Sequence, residues 1–177
     1  MSYIINSQGK AFNYLDPAQS FAAIVIEDIA ESLAKEARFA GKTPGEFYSV
    51  AQHSVYVSAC VPRAFAMEGL LHDAAEAYCK DLPKPLKALL PDYQVVEKRV
   101  DLVIRQRFGL PVQLSAEVKE VDSRLLVTER RDLLPFRVVK EYVAFPDVAA
   151  YTSKIVPWGW REALHRFLTR YYELSSE

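Results

Sequence analysis

Apolar residues recur at helical spacing along most of the chain, and the breaks between the runs carry turn chemistry. Ile26, Ile29, Ala30, Leu33 and Ala37 fall on one face of IEDIAESLAKEARF, and GKTPG, Gly41 to Gly45, supplies the stop. Ser49 and Gln52 then read as an S-x-x-Q capping box that opens a second helix, stopped by Pro62. A third helix is expected over about Ala64–Tyr78, ended by Asp81-Leu82-Pro83 and Pro85. Val95, Val96, Val100, Val103 and Ile104 mark a fourth, closing near Gly109-Leu110-Pro111. Ser115 with Val118, Val121, Leu125 and Leu126 begins a fifth that reaches about Leu134, before Pro135. Trp160, Leu164, Phe167, Leu168 and Tyr171 form a stripe on a C-terminal packing helix over about 160–174. Ile4 to Pro17 reads as a short hairpin or as an arm over the core, and Phe136 to Pro157 gives no clear pattern. The pattern predicts one all-α domain over residues 1–177, with its core at about 26–134.

Composition narrows the class. Half of the 177 residues are apolar and a quarter are charged, as expected of a chain that buries a real core. A net charge of -1 leaves no general basic footprint for a nucleic acid polymer, so a small molecule is the expected partner. Cys60 and Cys79 lack metal or redox spacing and read as reduced thiols. The N-terminal MSYIINSQGKAF has no apolar signal region and no run approaches the length of a membrane span, so a cytoplasmic location is expected. The aromatic surplus of the last helix suggests a homo-oligomer, a dimer or larger.

Several polar residues break the apolar pattern. His72 and Asp73 stand between Leu70-Leu71 and Ala74-Ala75, and Glu76 follows on the same helix face. Asp is rarely buried unless it is paired or bound to a metal. His53 sits among Val50 and Val57, and Asp122 between Val121 and Leu125. Two imidazoles and two carboxylates suit Zn²⁺, Mn²⁺, Co²⁺ or Fe²⁺. Each signal alone is weak, since a lone histidine on an apolar face is more often a hydrogen-bonded core residue than a ligand. The run Glu129-Arg130-Arg131-Asp132 reads as a solvated helix face with local pairs. No Gly-rich phosphate loop of the Walker or Rossmann type occurs.

In their order along the chain, SVAQHS (49–54), LLHDAAEAYCKDLPKPLK (70–87) and EVDSRLL (120–126) resemble the H…HD…D signature of the HD-domain phosphohydrolases. Within that superfamily the chain is similar to bacterial 5'-deoxynucleotidases and phage deoxyadenosine triphosphate triphosphohydrolases. The resemblance implies a single HD-domain helical bundle in which His53, His72, Asp73 and Asp122 bind one divalent transition metal per chain (Zn, Co or Mn). A triphosphate substrate would bring Mg²⁺ as well. It implies catalytic roles for Glu76 and Asp81, in handling water and protonating the leaving oxygen. It also implies that Arg38 contacts phosphate and that Phe39 lies near the sugar or base, where most relatives carry Trp.

Phosphoester hydrolysis needs charge neutralisation and a nucleophile better than water, both of which a metal supplies. Arg38, Lys87 and Lys119 are the candidate cations for the phosphate oxygens. Lys119 precedes Asp122 by three residues, so on a helix it stands on the metal-facing side; the alternative is a solvated surface lysine. The expected activity is cleavage of the 5' phosphoester of a deoxynucleotide. Either a dNTP such as dATP releases triphosphate, or a dNMP releases phosphate. The competing readings are a non-catalytic, nucleotide-binding HD regulatory module and a metal-free helical interaction protein.

Overall fold

In the computed structural model, which describes residues 2–134 and 147–176, helices dominate. Of the stretch without a clear pattern, residues 136–146 lie outside the described part. The N-terminal segment takes the hairpin alternative: β1 (Tyr3–Ile5) pairs antiparallel with β2 (Ala11–Asn13), in the register Ile4 opposite Phe12. Phe12 is fully buried and stacks on Tyr78, which fixes the hairpin to the helical body.

Helix α1 (Ile26–Lys35) carries Glu27 and Asp28 in its first turn, where acids favour the N-terminal dipole. It ends before Arg38, earlier than apolar spacing predicts. The cause is cross-strand pairing: Ala37 bridges Ser49, the Arg38 amide donates to Tyr48 O at 3.0 Å, and the Val50 amide donates to Glu36 O at 3.0 Å. Helix α2 (Val50–Cys60) begins at Ser49, whose Oγ accepts from the Gln52 amide at 3.1 Å. Only half of the capping box forms. The Gln52 side chain instead donates to Val156 O at 2.8 Å and accepts from the Trp158 amide at 2.8 Å, holding the C-terminal segment against α2.

The expected continuous helix over 64–78 is interrupted. Helix α3 (Ala66–Leu71) and the single turn α4 (Glu76–Cys79) flank a tightly wound stretch. There the Glu76 amide donates to Asp73 O at 2.9 Å and the Ala77 amide to Ala74 O at 3.2 Å. Three residues per turn bring positions three apart into register, so Asp73 and Glu76 share one face more closely than in an α-helix. The short α5 (Lys84–Lys87) follows, then α6 (Pro91–Arg107), α7 (Ala116–Leu133) and α8 (Trp160–Ser175). Pro91 opens α6, where its missing amide hydrogen costs nothing. Val95 of the expected apolar face of α6 is 51% exposed; Val100 and Ile104 carry its packing.

Ile29, Leu33, Val50, Leu70, Ile104 and Phe167 lie at the centre of the main core, where α1 and α8 pack together and α2 packs on α1, α3 and α8. A second cluster of Val57, Val61, Ala66, Val118, Val121 and Leu125 joins α2 and α3 to α7. Gly69 permits the tight crossing of α2 and α3: a Cβ there would stand 3.2 Å from Val57 Cγ1 and Val61 Cγ2, and 3.3 Å from Ser58 Cα. Among the described residues no helix is long and apolar enough to cross a membrane.

Candidate metal centre

The crossing of α2 and α3 carries the two histidines toward each other. His53, in the first turns of α2, and His72, just after α3, place their Nε2 atoms 3.3 Å apart. From α7, Asp122 Oδ1 reaches to 3.2 Å of His53 Nε2. One donor atom each from His53, His72 and Asp122 lies within 4.8 Å of the others. Asp73 Oδ2 joins from the tightly wound stretch, 3.2 Å from His72 Nε2 and 3.7 Å from His53 Nε2. All four ligand residues expected from the sequence are therefore brought together.

The far nitrogens of the imidazoles determine what the near ones can do. His72 Nδ1 lies 2.8 Å from Gly69 O, a pure acceptor, so it bears the hydrogen. His53 Nδ1 lies 2.6 Å from Glu129 Oε1, and the same argument holds. Both Nε2 lone pairs then face each other beside two carboxylates. Among the described residues only Arg38 Nη1, 3.5 Å from Asp73 Oδ2, brings a donor near this set of acceptors, so the space between them favours the entry of something positive. A proton on His53 is one solution. Burial and Arg38 push its pKa down, but Glu129 and Asp122 outweigh them and raise it to about 9. That single proton would have to serve His72, Asp122 and Asp73 together. A divalent cation satisfies all of them, and mixed imidazole and carboxylate donors fit Zn²⁺, Co²⁺, Mn²⁺ or Fe²⁺.

The carboxylates respond to the same neighbourhood. Burial raises the Asp73 carboxyl, but His72, His53 and Arg38 together hold it far below the usual range. Asp122 is likewise pushed up by burial and pulled down by His53 and His72, to about 2. Glu76 moves the other way. It is buried, its Oε2 has no hydrogen-bond partner among the described residues, and burial with the nearby Asp73 and Asp81 charges pushes its pKa well above its ordinary value. Asp81 is raised too, chiefly by burial. The turn that presents it is strained, with Lys80 at φ 75°, and is clamped by Glu36, which accepts from Lys80 Nζ at 2.8 Å and from the Asp81 amide at 3.3 Å.

Arg38 is buried, its Nη1 3.5 Å from Asp73 Oδ2. Phe39, Ala40 and Gly41 directly after it all have positive φ, a left-handed turn that non-glycine residues rarely adopt. Phe39 stays beside Arg38, its ring 5.5 Å from the guanidinium carbon. Lys87 is half-buried and pairs with Glu97 at 2.6 Å, while Lys84 is exposed. Glu97 is held in turn by Tyr93, whose hydroxyl also lies 3.0 Å from Cys79 O.

Lys119 and Glu129 do not stand as expected. Lys119 is exposed and has no side-chain contact with the cluster among the described residues, so nothing directs it toward the site. It precedes Asp122 by three positions, but its side chain is exposed while Val118 and Val121 pack inward. Glu129, read as part of a solvated face, is fully buried. Its Oε1 accepts from His53 Nδ1 and from the Tyr48 hydroxyl at 2.8 Å, and its Oε2 accepts from Arg38 Nη2 at 3.0 Å and Nε at 3.2 Å. Burial raises Glu129, but Arg38 and His53 more than offset it and keep it ionised. The signal was present in the sequence: Asp122, Leu125 and Glu129 are spaced i, i+3, i+7 on one face of α7. The mixed charges of its neighbours obscured it.

No protein-family model matches the chain. It is 53% identical over 179 aligned residues, 99% of its own length and 97% of the relative's, to the uncharacterized protein YfdR of Escherichia coli (strain K12). It is also 38% identical over 120 residues to the uncharacterized protein RCAP_rcc00048 of Rhodobacter capsulatus, spanning 63% of this chain and 60% of that one.

Proposed function

We propose that this chain, which belongs to the family of the uncharacterized protein YfdR, is a metal-dependent phosphohydrolase of the HD-domain type that cleaves the 5' phosphoester of deoxynucleotides. The observation that carries this reading is the convergence of the His53, His72 and Asp122 donor atoms, next to Asp73 and the buried Arg38. A divalent metal held by His53, His72, Asp73 and Asp122 would acidify a water molecule and neutralise phosphoryl charge. The remaining tasks fall to the chain itself. Arg38 and Lys87 hold phosphate oxygens, as cations on partly buried stems can. Glu76, with an unsatisfied oxygen and a raised pKa, orients the attacking water. As the water oxygen bonds to phosphorus, the bond from phosphorus to the 5' oxygen breaks, Asp81 gives that oxygen its proton, and the proton shed by the attacking water returns Asp81 to its acid form.

Exposure of Lys119 favours a monophosphate over a triphosphate. The site cations are then Arg38 and Lys87, each already matched by a carboxylate, Glu129 and Glu97, which leaves little surplus charge for a triphosphate tail. The additional acids Glu76 and Asp81 favour turnover over a binding module, because binding alone needs only the ligands and the cations.

A panel of dNMPs and dNTPs, assayed with Mn²⁺, Co²⁺ or Zn²⁺ and with product identification, tests this reading. The expected products are deoxynucleosides and inorganic phosphate from dNMPs. Glu76→Ala is expected to abolish turnover, with metal content intact. Release of triphosphate from dNTPs would transfer the assignment to the triphosphohydrolase reading, and absence of any turnover would leave the nucleotide-binding module.

A further inference from the structure

We infer that Glu129 is a positioning residue that ties the candidate metal ligand His53 to the candidate phosphate cation Arg38 through its two different carboxylate oxygens. The inference rests on the phosphohydrolase reading for what Arg38 holds. Its own basis is the geometry of one buried group. Glu129 is entirely shielded from solvent, and each of its oxygens takes two donors: Oε1 from His53 Nδ1 and the Tyr48 hydroxyl, Oε2 from Arg38 Nη2 and Nε. A buried carboxylate with four donors has fixed its position and theirs, since removing any partner would leave a charge or a donor unmatched in the interior.

Two consequences follow, one for each oxygen. Through Oε1, Glu129 keeps the hydrogen of His53 on Nδ1 and leaves the Nε2 lone pair directed at His72 and Asp122. A carboxylate on the far side of a metal-binding histidine commonly changes affinity by roughly 10–100-fold when removed. Through Oε2, Glu129 holds the guanidinium in one orientation. Arg38 Nη1 stands 3.5 Å from Asp73 Oδ2, and without the opposing carboxylate the side chain would be free to close onto Asp73. Glu129 therefore sets both where Arg38 stands and how much of Asp73 is left for a cation.

An amide at position 129 separates the two halves. Glutamine has one acceptor oxygen, which must choose between the two sides. The His53 and Tyr48 contacts, at 2.6 and 2.8 Å, are the shorter ones, and His53 is fully buried, whereas Arg38 keeps a small exposed edge through which it can be released. Glu129→Gln is therefore expected to keep its oxygen on His53 and turn its NH₂ against Arg38. Affinity for Co²⁺, followed by the visible absorption of the bound ion, should stay within about threefold of the parent, while the affinity of the Co²⁺-loaded protein for inorganic phosphate falls about tenfold or more. Glu129→Ala should lose both, with Co²⁺ binding weakened roughly 10–100-fold. If glutamine leaves phosphate affinity unchanged, or alanine leaves Co²⁺ affinity unchanged, the inference is overturned, and a fall in thermal stability alone would mark Glu129 as merely structural. Should the alanine variant fail to fold, the nearly isosteric glutamine still decides. Neither readout requires turnover, so an inactive parent protein would defeat the phosphohydrolase reading, while Co²⁺ and phosphate affinities would still decide whether Glu129 positions His53 and Arg38.

Discussion

If the acceptor cluster of His53, His72, Asp73 and Asp122 holds a cation in the folded state and not in the unfolded chain, stripping the metal must cost stability by mass action. At a free metal concentration one hundred times the Kd, the stabilisation is about 2.7 kcal/mol. The unfolding entropy of globular proteins, about 2.1 cal/mol/K per residue, sums to about 0.37 kcal/mol/K over 177 residues. The expected rise in Tm on adding Zn²⁺, Co²⁺ or Mn²⁺ to chelator-treated protein is therefore about 7 °C. The size of the effect should depend on α7, because Asp122 is the candidate ligand that this helix supplies. If Asp122→Ala weakens binding about a hundredfold, the same metal concentration equals the new Kd and the rise shrinks to about 1 °C. Differential scanning fluorimetry measures both shifts, and elemental analysis after gel filtration should give one equivalent of metal for the parent protein. The reasoning is refuted if none of the three metals moves Tm, or if Asp122→Ala gains as much as the parent.

Two more outcomes follow from the same geometry. Gly69→Ala should destabilise by about 1–3 kcal/mol, because the new Cβ meets the Ser58 backbone at 3.3 Å as well as two valine methyls, and backbone cannot swing aside; chemical denaturation reads the loss, and Co²⁺ affinity should fall with it as the helices that bear His53 and His72 part. Lys119→Ala should leave both inorganic phosphate affinity and substrate KM within about twofold of the parent, since a solvated lysine outside a site contributes little; a larger effect would return Lys119 to the substrate-binding set.

The helical class, the main breaks and the four residues that converge where α2 and α3 cross were legible because each rests on a local signal. Apolar spacing marked α1, α6, α7 and α8, the Ser49 cap and Pro62 marked α2, and polar residues in apolar surroundings marked His53, His72, Asp73 and Asp122. What escaped depends on partners far away in the chain. The end of α1 at Lys35 is set by pairing between Ala37 and Ser49, which no window centred on α1 contains. The tight winding at 72–75 contains no Gly or Pro and includes the good helix formers Ala74 and Ala75, so LLHDAAEAYC carries no break signal that announces it. Spacing alone reads Gln52 as a cap, although apart from Tyr56 its side chain bonds to groups more than a hundred residues away, at Val156 and Trp158. Glu129 is hidden by Arg130, Arg131 and Asp132, three charged neighbours that do not share its burial.

The order in which the cluster's parts occur along the chain bears on how the protein is made. Arg38, His53, His72, Asp73, Glu76 and Asp81 all precede residue 82, whereas Asp122 and Glu129 belong to α7. During synthesis, which delivers the N-terminal part first, the growing chain presents two histidines and an arginine with no α7 to receive them. Until α7 has emerged, His53 has neither its Asp122 neighbour nor the carboxylate that fixes its ring, and Arg38 has only Asp73 to face. The ribosome thus imposes a sequence of events: the helices that carry the imidazoles can assemble early, but the cation-ready site comes into being only with the arrival of the last helix to join it.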